Sequence, residues 1–259
     1  MSRVPTWLLH HPIAHRGLHD VAHAIVENSL PAFWAAARAE YPIELDVRLL
    51  ADGEVVVFHD RELDRLTAAT GAIATRTSKE LSKITLSDAS TGDDPKREDA
   101  RIPLLRDVLD LVAGATPLLI EIKNEGDAGA LETATAAALL KYKGPFVIQS
   151  FNPDTLVWWR EHAPGVVRGL LAGDFRYEPV DDETRRRLQN MEDLDRCAPD
   201  FIGYDIRLLP LERVARERSA GRPVIGWTAR SRDEAERALA YVDNIIFEGF
   251  DPAGLRSAS

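Results

Sequence analysis

Nine short apolar or β-branched runs recur along the chain, at 12–16, 43–49, 55–59, 118–123, 146–151, 166–171, 201–206, 223–228 and 244–247. Helix-period segments lie between most of them, at 29–40, 104–112, 128–142, 153–162, 181–191, 211–220 and 233–241. The exception is the step from the second run to the third, which is only Leu50-Ala51-Asp52-Gly53-Glu54. Parallel neighbours need a crossover of about a dozen residues, and Asp-Gly is a strong hairpin signal, so this pair must be antiparallel. Setting that excursion aside leaves eight strands joined by helical crossovers. This is the pattern of an α/β chain folded as a (β/α)8 TIM-type barrel with a short hairpin excursion after the second strand. A doubly wound open sheet is the competing arrangement, but no G-x-G-x-x-G or G-x-x-x-x-G-K-[ST] loop follows any strand.

No repeat, low-complexity tract or Pro-rich linker divides the 259 residues, so residues 1–259 are expected to form a single barrel domain. A chain of this length hides roughly 70 to 75% of its unfolded surface, enough for a core without disulfides. The polar stretch 85–101 is expected to be a mobile surface loop. The one cysteine, Cys197, cannot pair within the chain and is expected to be a small buried hydrophobe. The amino terminus lacks a signal-peptide pattern, and no apolar stretch approaches the ~18 residues of a spanning helix, so a soluble, cytoplasmic protein without stable membrane insertion is expected. The net charge of −10 repels nucleic acid and anionic lipid, so any phosphate-bearing ligand must be held by local positive charge.

Two strands carry an unusual alternation. In Ile43-Glu44-Leu45-Asp46-Val47 the two-residue period of a strand puts Glu44 and Asp46 on one face and the apolar residues on the other. Ile120-Glu121-Ile122-Lys123 repeats the device. Inside a barrel these acids need a cation or a proton. Three carboxylates without a Cys or His cluster suit a hard, oxygen-seeking ion, Mg²⁺ or Ca²⁺, so Glu44, Asp46 and Glu121 are the candidate metal ligands for one divalent cation. The alternative is a salt-bridge network in which Lys123 and Arg48, which shares the strand parity of the acids, neutralise them.

His15-Arg16-Gly17 ends the first strand and His59-Asp60 ends the return of the hairpin, which puts both histidines near the carboxyl-terminal mouth of a barrel. Histidine suits proton transfer near neutral pH, although a strand-end histidine also serves as a hydrogen-bonding cap. Arg16 offers a planar fork matched to phosphate oxygens and Lys123 a point charge for the same anion. Trp227 is either an apolar wall for substrate or a packed aromatic.

These residues carry a resemblance. His15-Arg16-Gly17, Glu27-Asn28-Ser29, Glu44-Leu45-Asp46-Val47, Asp52-Gly53 and Val56-Val57-Phe58-His59-Asp60 resemble, in order and spacing, the motifs of the glycerophosphodiester phosphodiesterase family. Ile120-Glu121-Ile122-Lys123, Gln149-Ser150-Phe151 and Trp227-Thr228 are similar to its later ones. The likeness runs from Ile13 to about Asp251. It implies a distorted (β/α)8 barrel that hydrolyses a small-molecule glycerophosphodiester to glycerol 3-phosphate and an alcohol with a bound divalent cation. It further implies that Glu44, Asp46 and Glu121 are the metal ligands, that His15 and His59 are the acid/base pair, and that Arg16 and Lys123 contact phosphate. Glu27 and Asn28 would hold the loop after the first strand, unless Asn28 is simply a helix N-cap. The chain departs from the family pattern at Val26 in place of proline, at Glu248 in place of aspartate, at Ala229-Arg230 in place of Val-Asn, and in the loop with His19, Asp20 and His23. Other readings are a lysophospholipase D, a cyclising phospholipase, or a noncatalytic phosphoester-binding barrel.

Overall fold

The computed structural model describes residues 3–20, 23–87, 101–174 and 181–255. In chain order the elements are α1 (Thr6–His10), β1 (Ile13–Ala14), α2 (Leu30–Arg38), β2 (Ile43–Leu49), β3 (Val55–Val57), α3 (Ser78–Leu81), α4 (Leu105–Val112), β4 (Leu118–Ile122), α5 (Ala130–Leu139) and β5 (Phe146–Ser150). They continue with α6 (Pro153–His162), β6 (Arg168–Ala172), α7 (Asp182–Gln189), α8 (Leu194–Cys197), β7 (Phe201–Asp205), α9 (Glu212–Ser219), β8 (Val224–Ala229), α10 (Arg232–Leu239) and β9 (Asn244–Phe247). Every expected strand and helix is present. The unanticipated helices α1, α3 and α8 have four or five residues, too few to show a helical period.

The strand order is β1-β9-β8-β7-β6-β5-β4-β2-β3, with β1 also paired to β2. Eight strands therefore return on themselves and β3 hangs from β2. This is the (β/α)8 barrel with its hairpin excursion. No helix among the described residues is long and apolar enough to cross a membrane. By internal contacts the chain groups into two compact units, Ala14–Phe146 and Met1–Ile13 with Val147–Ser259.

In the unit 14–146, β1 and β4 flank β2 in parallel, with Ala14 opposite Ile43 and Asp46 opposite Glu121. β3 returns antiparallel along β2, with Val47 opposite Val57 and Leu49 opposite Val55. The turn is closed by Leu50 N–H donating to the Glu54 carbonyl at 2.9 Å and by Gly53 at φ +82°. The excursion beyond β3 has little regular structure but a core of its own, built from Val26, Leu50, Val56, Phe58, Leu63, Leu66, Ile73, Leu81, Leu86, Ile102 and Leu104. Each such side chain contributes roughly 1.5 to 3 kcal/mol on full burial, which is what holds the segment in place. Of the expected loop, 88–100 lies outside the described residues, while its ends Thr85 and Arg101 form an antiparallel bridge.

In the unit made of 1–13 and 147–259, β5 to β9 are parallel neighbours in chain order, with Ile148 opposite Arg168, Ile202 opposite Val224 and Gly226 opposite Ile245. Asn244 Nδ2 donates to the carbonyls of Leu8 at 2.9 Å and His11 at 2.7 Å, which ties α1 to β9. Cys197 is free and buried, as expected, and burial pushes its thiol up to about 11.

The turn after β1 fixes where α2 begins. Gly17 N–H donates to the Ala14 carbonyl at 3.3 Å, and Arg16 and Gly17 both take left-handed φ values, +54° and +80°. A side chain at Gly17 would meet the backbone of Ala32 at the start of α2 at 2.8 Å. Gly17→Ala is therefore expected to cost about 1 to 3 kcal/mol through strain and forced displacement, read by chemical denaturation. A cost below a few tenths would show that the turn relaxes freely.

Candidate active site

Glu44 and Asp46 lie on one face of β2, and the parallel register sets Glu121 directly beside Asp46. One oxygen from each of the three carboxylates falls within 4.8 Å of the others, and all three side chains are buried. Around them, Lys123 Nζ stands 3.2 Å from Asp46 Oδ1 and 2.5 Å from Glu121 Oε1. Arg16 donates its backbone N–H to Glu44 Oε2 at 3.0 Å and brings Nε to 3.3 Å from Asp46 Oδ2. Asn28 Nδ2 donates to the same Asp46 oxygen at 2.8 Å.

The electrostatics are unevenly shared. Burial, then the charges of Asp46 and Glu121, push the Glu44 carboxyl well above its usual range. Burial also acts to raise Asp46, but Lys123, His59, Arg16 and His15 outweigh it and hold Asp46 well below the carboxylate range. Burial leaves Glu121 raised despite Lys123. Arg16 and Lys123 face three acids: Lys123 sits against Asp46 Oδ1 and Glu121 Oε1 and Arg16 against the other Asp46 oxygen, so three carboxylates meet only two of these full positive charges. A buried carboxylate without a balancing charge is costly, and an all-oxygen donor set fits a hard divalent cation.

The salt-bridge alternative holds only in part. Lys123 and Arg16 do neutralise acids, but Arg48 turns elsewhere: its Nε and Nη2 donate to the His59 carbonyl at 2.8 and 2.7 Å, and Nη2 to Glu125 at 3.1 Å. Arg48 therefore fixes the backbone of His59. Next to it, Phe58 N–H donates to the Asp46 carbonyl at 3.0 Å. His59 Nδ1 lies 2.6 Å from Asp60 Oδ1. Burial would raise Asp60, but bonds from His59 and Arg65 hold it far below the usual range, so it is ionised and Nδ1 must be the donor. The other ring nitrogen, Nε2, is the one available for proton transfer.

His15 and Arg16 are the central residues of the turn that ends β1. Arg16 Nη1 donates to Glu27 Oε1 at 2.6 Å, and Glu27 is held down to about 2, with donors Arg65 and Arg16 overcoming burial. Asn28 is not a helix cap: Ser29 Oγ accepts from Ala32 N at 3.4 Å in that role, and Asn28 stands at φ +53° to serve Asp46. Trp227 belongs to the other compact unit. There it meets Phe151 edge-to-face at 5.6 Å and packs over Gly173, where a Cβ would come within 2.9 Å of its ring. In the same unit Arg230, one departure from the family pattern, pairs with Glu248, another, at 2.7 Å.

A sequence model of the Glycerophosphoryl diester phosphodiesterase family matches residues 15–249. The chain belongs to this family. A glycerophosphodiester phosphodiesterase of Caldanaerobacter subterraneus subsp. tengcongensis is 29% identical over 250 residues, covering 94% of this chain and 95% of that one. One of Bacillus subtilis is 24% identical over 255 residues, covering 92% and 83%. An Oleispira antarctica phosphodiesterase, solved in complex with its product sn-glycerol-3-phosphate, has the same fold at a TM-score of 0.76, with 22% identity and 92% of each chain covered.

Within this glycerophosphoryl diester phosphodiesterase chain, sequence reasoning passed over Arg65, and of the salt-bridge alternative it weighed, the Lys123 part holds and the Arg48 part does not. Arg65 sits in the charged run Asp60-Arg61-Glu62-Leu63-Asp64-Arg65, which reads as solvated surface. The available signal was Leu63 and Leu66, whose apolar character beside the charges announces an anchored segment; both are buried.

Glu44 gives the site a pH signature. Because its folded value is raised, it favours the folded state at low pH, and that contribution is lost as pH rises through the raised value. A cation on the cluster removes the penalty by taking the place of the proton. Added Mg²⁺ or Ca²⁺ should therefore raise the melting temperature of chelator-treated protein more at about pH 8 than at about pH 5. Glu44→Gln should flatten that dependence. A shift independent of pH in the unaltered protein would contradict the assignment.

Proposed function

We propose that this enzyme hydrolyses glycerophosphodiesters to glycerol 3-phosphate and an alcohol, using a divalent cation, Mg²⁺ or Ca²⁺, held by Glu44, Asp46 and Glu121, with His15 and His59 as the acid/base pair. The observation that carries the reading is the gathering of three buried carboxylate oxygens within 4.8 Å of one another beside Arg16 and Lys123. A cation bound there supplies Lewis-acid stabilisation of the charge that develops on the phosphoryl oxygens. Arg16 and Lys123 add fixed positive charge on the same side, in a buried setting where electrostatic stabilisation is strong. Lys123 is held ready for this role by Asp46 and Glu121, which outweigh burial and raise its value.

His15 acts as general base toward the attacking hydroxyl, from water or from the 2-hydroxyl of the glycerol itself, and His59 as general acid toward the departing alkoxide. The hydrogen bond from Nδ1 to Asp60 supports the second role, since it holds the ring and leaves Nε2 as the nitrogen that passes the proton. With the water route, a P–O bond to the alcohol breaks, a P–O bond to the water oxygen forms, and one proton passes from the attacking hydroxyl to His15 while another passes from His59 to the alcohol. The proposal places all of this in one catalytic domain with a small-molecule substrate and no nucleic-acid partner, in keeping with the net charge of −10.

His15→Ala and His59→Ala should each retain the native circular dichroism spectrum and lower kcat by about 10² to 10⁴-fold on glycerophosphocholine. Chelation with EDTA should abolish turnover, and Mg²⁺ or Ca²⁺ restore it. Full activity in a metal-free sample would overturn the cation; an active double histidine variant would overturn the acid/base pair.

A further inference from the structure

An alternating ladder of charges runs through the unit 14–146. Asp46 faces Arg16, Arg16 bonds Glu27, Glu27 bonds Arg65, Arg65 bonds Asp60, and Asp60 bonds His59. Arg65 joins the loop after β1 to the excursion after β3. Its Nη1 and Nη2 donate to the two oxygens of Glu27 at 3.0 and 2.7 Å, while Nε and Nη2 donate to the two oxygens of Asp60 at 2.6 and 3.0 Å. One guanidinium thus forks onto two carboxylates, one bonded to His59 and the other to Arg16.

We propose that Arg65 is a positioning residue for the phosphodiesterase reaction, fixing the His59 ring through Asp60 and the Arg16 guanidinium through Glu27. The inference rests on the roles proposed above for His59 and Arg16. The geometry explains why an arginine is needed, because a lysine ammonium offers no planar fork and cannot hold two carboxylates bidentately. The segment that carries Arg65 is also fixed. Leu63 and Leu66 are buried on either side, Thr67 Oγ1 donates to the Leu63 carbonyl at 2.9 Å, and Leu63 N–H donates to the Gly71 carbonyl at 3.0 Å. The Arg65 side chain itself is 46% exposed, so its ion pairs add little to global stability and its loss should leave the fold intact. Their effect is local. With Asp60 held from behind, its Oδ1 stays aimed at His59 Nδ1, and the Arg48 bonds to the His59 carbonyl keep the backbone from following any side-chain movement.

The test is a kinetic double-mutant cycle on the full-length enzyme with glycerophosphocholine, using Arg65→Ala, Asp60→Asn and both together, with His59→Ala as reference. Arg65→Ala should lower kcat about 10- to 100-fold, the usual effect of losing a partner that orients a reacting group, with an unchanged melting temperature. In the Asp60→Asn background the same change should cost clearly less kcat than it does alone, the remaining loss and a raised KM coming by the route through Glu27 to Arg16. Arg65→Lys should fall between, and added methylguanidinium should partly restore Arg65→Ala. The ¹⁵N chemical shifts of the His59 ring should move from a single Nδ1–H tautomer toward a mixture in Arg65→Ala. An unchanged kcat and unchanged His59 shifts in Arg65→Ala, or losses of kcat that multiply in the double variant, would overturn the proposal. If His59→Ala itself retained turnover, it would be the acid/base assignment that failed.

Discussion

The structure is organised around the cost of burying carboxylates side by side. The parallel register of β2 and β4 puts Asp46 next to Glu121, and strand parity adds Glu44 two residues away on the same face. In a dry interior such a cluster is intolerable without compensation. The left-handed turn at Arg16 sends a backbone N–H to Glu44, Asn28 accepts an unusual φ to bond Asp46, and Lys123 closes over Asp46 and Glu121. Arg16 and Lys123 still carry one positive charge fewer than the three carboxylates they face. That residual charge deficit is the physical basis for proposing a metal ion at this place.

The hairpin excursion supplies what the barrel strands lack. β3 leads directly into His59, and Arg48 on the facing strand clamps the His59 carbonyl. The segment beyond His59 needs its own apolar cluster, since it has few backbone ladders to hold it. With Leu63 and Leu66 seated in that cluster, a surface arginine becomes a defined reach toward Asp60 and Glu27. Packing in the excursion and charge in the site are thereby linked.

Much of this was legible in the residues. The alternation of strands and helices, the Asp-Gly turn and the charged faces of β2 and β4 come from local periodicity, and the structure reproduces each. Side-chain partners were harder to read. Parity places Arg48 with the acids, yet a long guanidinium chooses among acceptors several ångströms apart, and it bonds the His59 carbonyl instead. Asn28 looked like a cap because its type and position suit one, but Ser29 is better placed, which leaves Asn28 for Asp46. Arg230 and Glu248 looked like two separate departures and are partners, a relation between β8 and β9 that no local pattern encodes. Arg65 was hidden for the same reason, because Glu27 lies far off in the sequence and Asp60 is five residues away in a segment with no helical or strand period.

The most direct test of the carboxylate cluster is anomalous diffraction from crystals of this protein soaked in Mn²⁺, an ion with the same preference for oxygen ligands. The account expects a single strong anomalous peak bounded by oxygens of Glu44, Asp46 and Glu121, lost in Asp46→Asn. A map with no peak there, in which Lys123 and Arg16 take up every carboxylate oxygen, would contradict it.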